Sequence, residues 1–413
     1  MEEKSDPGIE NKYNYGNELV NVKVEKDDNN GLLILVEDND DNNGKDKSTV
    51  KKVHHYWIDA LRIFASYMVV LVHACNYALD GVEMFSNNWY ASRLWNALCR
   101  PCVPLFIMIS GSLFLDPDRN FTIKKMYKKY IFRIFRALFF WNLIYVTLCK
   151  FVIGGIKNEF VWNSQLVYNI YDEFLMGKYH MWYLYMCIGL YAMTPFLRAI
   201  CKEKVLTEYF ILSSVIILQA IPFVIFLVYD LYPNRYVQNI GNFIGKFNFA
   251  LIGGYYCHYV MGHYFNAYKI KSKLTLTIIF FCGIFFSVFT YGIQLILSKK
   301  YKQLVNDFED YLKLNVTIAS VAIYLFFKYP LNRIISFVFR GKYLKSFLKQ
   351  LSGVTFGIYQ VHVIYLELFE NLNLRYYDRN HYLFLPIHAL LIWVISGVTT
   401  FIMKKIPILR KFV

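Results

Sequence analysis

Charge is scarce in this sequence: 18% of its 413 residues are Asp, Glu, Lys or Arg, against roughly a quarter in an ordinary soluble domain. The eight cysteines form no repeated pair pattern. Cys99 and Cys102 make a lone C-x-x-C, without the second pair that a zinc site needs. Cys75, Cys149, Cys187, Cys257 and Cys282 fall inside apolar runs and read as small buried hydrophobes. A metal centre or a disulfide scaffold is therefore not expected. No phosphate-cradling glycine loop, nucleophile elbow or paired carboxylates can be found. No basic-then-apolar stretch follows Met1, so a cleavable leader is not expected and the first apolar run should act as a retained anchor.

Apolar residues, by contrast, make up 56% of the chain and aromatic ones 19%, and the mean hydropathy is +0.30. They come in runs of about twenty, the length that crosses a bilayer. The fold class expected is all-α, a polytopic membrane bundle of about ten helices. The runs are Trp57–Leu79, Cys99–Leu115, Ile131–Ile153, Trp182–Ile200, Tyr209–Leu231, Ile240–Tyr264, Leu274–Ser298, Tyr311–Tyr329, Phe347–Phe369 and Leu383–Met403. Pro101 and Pro104 imply a bent entry to the second. Lys246 and Gly253-Gly254 interrupt the sixth, which should kink or line a cavity. Two parts follow: an acidic, Asn-rich tail over residues 1–52, too polar to bury a core and read as disordered, and a membrane domain over 53–413.

The formal charge of +15 is uneven, with −5 in residues 1–52 and +20 in the remainder. These basic residues sit in short connections, so the excess points to membrane orientation rather than to nucleic acid. The connections at 116–130, 201–208, 264–273 and 330–346 and the final segment are basic, and those between them are nearly balanced. Basic and neutral connections alternate without a break, which puts both termini in the cytoplasm.

Ionisable residues inside the spans need a reason, because each costs several kcal/mol to insert. In the first run Asp59, Arg62 and His73 share one helical stripe; the last two are eleven positions apart, about three turns or roughly 16 Å. Taken singly, Arg62 would snorkel to lipid phosphate and His73 would bond across to another helix. Their common face favours a site. Arg133 and Arg136 form an i,i+3 pair behind Lys124, Lys125, Lys128 and Lys129. The lysines answer to membrane orientation, whereas the deeper guanidinium forks suit bidentate phosphate contacts. His362 and His180 fall towards the opposite membrane face, where structural hydrogen bonding competes with contact to a polar acceptor.

Five elements in order give the chain a family likeness. They are Arg62-x10-His73 within Ile-Asp-Ala-Leu-Arg-Ile-Phe-Ala, the run Val103–Gly111, Arg133-x-x-Arg136, the run Met181–Arg198 and Phe356-Gly-Ile-Tyr-Gln-Val-His362. From about Val53 onward the chain resembles the acyltransferase-3 integral membrane acyltransferases, particularly the branch resembling the enterobacterial-common-antigen O-acetyltransferase. The resemblance implies transfer of an acyl group, usually acetyl, from acyl-CoA to a hydroxyl of a carbohydrate or lipid-linked glycan. It implies His73 as the catalytic base, Arg62 holding the donor or the histidine, and Arg133 and Arg136 on the CoA side. Asp59 would support Arg62, and His362 and His180 would face the acceptor. No permanently bound cofactor is implied; acyl-CoA is a substrate, and the partners expected are glycan acceptor and membrane lipid. The plasma membrane is the expected location, with an internal membrane of the secretory pathway as the alternative. The acidic tail has no counterpart in that likeness, and no appended esterase-like domain is expected. Two rival readings stay open: a secondary transporter using Arg62, His73 and His362 as a solute or proton path, and a catalytically dead relative acting as a scaffold.

Overall fold

The computed structural model describes residues 54–117, 119, 122–148, 164–247 and 253–413, together with the backbone of four segments before them. The tail expected over residues 1–52 falls largely outside the described residues. Its four described segments, Asn11–Tyr15, Glu18–Lys26, Leu32–Glu37 and Thr49–Lys52, pair in chain order as an antiparallel meander. From His54 onward every element among the described residues is helical.

The first helix, α1 (Tyr56–Asp80), runs for 25 residues without a glycine or proline and stops at Gly81. Next comes α2 (Asn87–Cys99), whose first turn is capped by the Ser86 hydroxyl accepting from the Trp89 amide at 3.2 Å. Hydropathy makes residues 80–98 a connection, because Asn87, Asn88, Arg93 and Asn96 lower it there. From Asn87 they are helical instead, and α3 (Cys102–Phe114) continues them after a break at Arg100–Pro101, so one 28-residue stretch, Asn87–Phe114, is long and apolar enough to span. The interruption falls at Pro101, where Pro101 and Pro104 imply a bent entry.

Seven further stretches meet the same test of length and composition: Tyr56–Asp80, Ile123–Thr147, Val167–Ile200, Lys204–Leu231, Lys273–Tyr301, Asp307–Val338 and His381–Lys405. Eight are thus found among the described residues, where sequence alone gave about ten. They take in α4 (Phe132–Thr147), most of α5 (Ser164–Met176) and α6 (Trp182–Ile200). The chain then forms α7 (Lys204–Ser213) and α8 (Ile221–Leu231). The expected sixth run is not one helix but two, α9 (Arg235–Gly245) and α10 (Tyr255–Ala267), split where Lys246 and the glycine pair interrupt it. The last elements are α11 (Lys273–Tyr301), α12 (Leu314–Phe326), α13 (Asn332–Val338), α14 (Lys342–Asn371) and α15 (His381–Lys405).

At the centre α1 is packed against α2, α3, α14 and α15, which accounts for the burial of fourteen of its residues. The tightest crossing joins α3 to α10. A Cβ placed on Gly111 would lie 2.7 Å from the Tyr259 carbonyl carbon, and one on Gly262 2.5 Å from that of Met108. Glycine at both positions lets the two backbones touch, as small residues do between helices where no hydrophobic force draws them together.

Candidate active site

A cavity of about 400 Å³ opens between α1, α3, α4, α6 and α14. Its lining includes Arg62, His73, Arg133 and His180, so four of the seven residues singled out from sequence meet around one space. Aromatic rings supply much of the wall, among them Phe106, Tyr130, Trp182, Tyr183, Tyr191, Tyr311 and Tyr359. The remainder is largely Val, Leu and Ile, with Ser110, Ser352 and Thr355 as polar points. An apolar slot with few polar groups is the usual form of a small-molecule site.

One end holds the cations. Arg62 donates from Nη1 to the Ser352 hydroxyl at 3.1 Å and sits 3.7 Å from Asp59. Asp59 is 5% exposed; it also bonds to His54 and does not line the cavity. Arg133 is exposed and lines the space, its guanidinium 5.4 Å from the Phe356 ring centroid, with a 3.3 Å bond from Nη2 to the Val413 backbone oxygen. Arg136 turns away from the cavity. It donates to the Lys411 carbonyl at 2.7 Å and lies against the rings of Phe132 and Phe412. Phe412 stacks on Phe140 at 4.2 Å, and Trp141 donates to the Phe412 carbonyl at 3.1 Å. Residues 411–413 thus form a strap along α4 that engages both arginines.

The other end holds the imidazoles. Ring centroids lie 5.2 Å apart for His73 and His362, 5.3 Å for His180 and His362, and 6.4 Å for His73 and His180. His73 and His180 line the cavity, whereas His362 is fully buried and stands one layer behind. His180 reaches this place because Gly177 ends α5 with φ +71° and turns the chain back; a Cβ there would meet Asn142 Oδ1 at 2.8 Å. The Tyr359 hydroxyl then donates to the His180 carbonyl, and the Tyr145 hydroxyl donates to the Gln360 carbonyl at 2.7 Å. Tyr179 packs on His73 at 5.2 Å. Beyond it, Lys178 pairs with Glu367, to which Tyr77 donates at 3.4 Å.

Sequence reasoning missed a second group of charges. Glu309, 2% exposed, takes Arg100 at 2.5 Å and Arg93 at 3.2 Å, while Arg93 also donates to Asn306 at 2.8 Å and to Gln294. Arg100 lies over Tyr311, a cavity residue. The 299–310 connection had read as merely balanced in charge; the partners of Glu309 lie more than two hundred positions away, so no spacing rule could reveal them. Among the described residues no cluster of His, Cys, Asp and Glu is arranged to hold a metal.

Compared with curated proteins and with solved structures, the chain finds no match. A family pattern described as an acyltransferase domain does match, over residues 55–403. That span takes in the cavity and all the residues gathered around it except the 411–413 strap, so the chain belongs to the acyltransferase-3 family and is an integral membrane acyltransferase.

Proposed function

We propose that this protein is an O-acyltransferase that moves an acyl group, acetyl in the first instance, from cytoplasmic acyl-CoA to a hydroxyl of a carbohydrate or lipid-linked glycan. The observation that carries this reading is the one cavity shared by Arg62, Arg133, His73 and His180. Cations at one end suit the CoA phosphates. An imidazole about three helical turns deeper suits a base for the acceptor. A narrow apolar passage between them suits the pantetheine arm. In topology we favour ten crossings, adding Ile240–Tyr264 and Phe347–Phe369 to the eight apolar stretches, with both termini cytoplasmic as the alternating basic connections require. The branch like the enterobacterial-common-antigen O-acetyltransferase, and the plasma membrane or an internal secretory membrane, belong to the same proposal. A transporter reading has no support from the acyltransferase match.

In the reaction, neutral His73 takes the proton of the acceptor hydroxyl as its oxygen attacks the thioester carbonyl carbon. The C–S bond breaks, and the departing sulfur receives that proton from the imidazolium. Ester and free CoA thiol result. Arg62, steadied by Ser352 and Asp59, and Arg133 hold the donor; Arg136 adds to the positive field through α4. His180 faces the acceptor.

The test uses purified protein in lipid nanodiscs supplied with acetyl-CoA and candidate glycans. Thiol release and an acetyl increment on the glycan by mass spectrometry are followed together. His73→Ala should lower transfer by roughly 10²–10⁴-fold, the usual worth of a general base, with acetyl-CoA still bound. Full transfer by that variant would refute the assignment. Glycans from cells lacking the protein should lose the same increment.

A further inference from the structure

A base at His73 works only if the ring nitrogen facing the acceptor carries a lone pair, and this requires the other nitrogen to carry the proton. That second proton needs an acceptor. In the serine-protease arrangement a buried carboxylate supplies it and fixes the tautomer. No Asp or Glu bonds to the His73 ring among the described residues.

His362 is the neighbour suited to the task. Its Nδ1 faces two carbonyl oxygens, those of Tyr359 at 2.8 Å and Ile358 at 3.1 Å. Carbonyls only accept, so Nδ1 must be the protonated nitrogen and Nε2 must carry the lone pair. This Nε2 is buried and has no hydrogen-bond partner. His73 Nδ1 is likewise buried without a partner, whereas His73 itself lines the cavity. The two ring centroids are 5.2 Å apart and the planes are inclined by 36°. Two imidazoles joined by one N–H···N bond of about 2.9 Å have centroids roughly 5 Å apart. A small turn of the His73 ring therefore closes the bond and satisfies two buried orphans at once.

We infer that His362 is the positioning residue for His73: its Nε2 accepts from His73 Nδ1–H and leaves the lone pair of His73 Nε2 directed at the acceptor. The inference rests on the proposed acyl transfer and moves His362 from the acceptor-facing role expected of it to one behind the base. The fixed order runs from the backbone of α14, through His362, to His73 on α1. His180 is a competing neighbour at 5.3 Å from His362, but its ring lies 6.4 Å from His73, too far to share the proton of that base directly.

The experiment compares wild type, His362→Ala, His362→Gln and His73→Ala in nanodiscs, with kcat and the KM for acetyl-CoA measured separately. Thermal inactivation reports folding. His362→Ala should lower kcat by about 100-fold, within the range lost when a general base is compromised, with KM changed by less than about threefold. His362→Gln keeps an acceptor oxygen near the place of Nε2 and should recover at least about tenfold of that loss. Equal kcat in wild type and His362→Ala would overturn the inference, as would Ala and Gln variants equally impaired at equal thermal stability. If His362→Ala does not fold, His362→Gln carries the test: a kcat within tenfold of wild type supports the bond, and a deeper loss counts against it. Loss of activity in His73→Ala beside an unaffected His362→Ala would sink this inference and leave the proposed reaction standing.

Discussion

Putting a methyl group on Gly111 is a sharp test of the helix crossing that shapes the site. The added Cβ would sit 2.7 Å from the Tyr259 carbonyl carbon, whereas carbon atoms pack at about 3.5–4.0 Å. The obstacle is main chain, with the Tyr259 carbonyl oxygen nearer still, and it cannot rotate aside, so α3 and α10 must separate by more than about 1 Å. Overpacking of this kind costs about 1–3 kcal/mol, here at the upper end. Alanine returns about 1 kcal/mol of helix propensity. A net loss of about 2 kcal/mol remains, equivalent to roughly 2–3 °C in the midpoint of thermal inactivation for a chain of this length. Gly262→Ala presses on Met108 in the same crossing and should cost the same. Because either substitution parts the helices for both, the double variant should lose little more than one single variant, well short of the sum. Cys102, Val103, Phe106 and Ser110 ride on α3 into the cavity wall, so transfer activity should fall with stability. The assay is thermal inactivation of detergent-solubilised protein, read by residual transfer and by a tryptophan signal. An unchanged midpoint for Gly111→Ala, or losses that add in full, would refute the close-contact argument.

Three other outcomes are expected. Arg133→Ala removes an exposed guanidinium from the cavity mouth; it should raise the KM for acyl-CoA about tenfold, as loss of a charged hydrogen bond of about 1.5–3 kcal/mol requires, with kcat within about twofold, and a fall confined to kcat would count against a donor role. Glu309→Ala strands Arg93, which is 1% exposed; the loss should be about 3–5 kcal/mol of stability, seen as a lower inactivation midpoint, and an unaltered midpoint would show the cluster to be dispensable. Gly177→Ala combines a left-handed φ of +71° with a clash against Asn142; beyond about 1–2 kcal/mol of backbone strain, the turn carrying His180 should shift and transfer should drop, which kinetic analysis at a permissive temperature would detect.

The stripe of Arg62 and His73 is legible in sequence because helical geometry is local: eleven positions bring two side chains to one face whatever surrounds them. Membrane character is legible for the same reason, since bilayer thickness sets a run length. What joins these residues to the rest is not local. Ser352 meets Arg62 across 290 positions, and the aromatic wall is scattered over α3, α6, α14 and the segments before α4 and α12. Arg136 illustrates the limit. Its i,i+3 relation to Arg133 puts both on one face of α4, yet the 411–413 strap draws its guanidinium out of the cavity. A short polar segment such as Asn87–Cys99 has low hydropathy although it is helical, because its polar side chains find partners elsewhere in the bundle: Asn96 donates to Asn76 of α1, Asn88 to the Asp378 carbonyl, and Arg93 to Asn306 and the Val305 carbonyl.

The helix that carries His362, the residue inferred to position the proposed base, is one that hydropathy undervalues. α14 is 30 residues long, enough for about 45 Å, yet it does not meet the apolar test that eight other stretches pass. Part of its deficit lies inside the bundle, where Ser352, Thr355, Gln360 and His362 are all buried and α1 and α15 pack against it, and part comes from exposed Lys342, Lys349 and Gln350 in its first turns. Lipid does not see the buried groups, because protein encloses them: Ser352 accepts from Arg62, Thr355 donates to the Ser352 carbonyl and His362 Nδ1 donates to backbone carbonyls of its own helix. A membrane enzyme that handles polar substrates must put hydroxyls and imidazoles at depth, and each one lowers the hydropathy of the helix that bears it. A long helical run whose polar residues are internal therefore marks the wall of a site, and its low hydropathy is part of the signal.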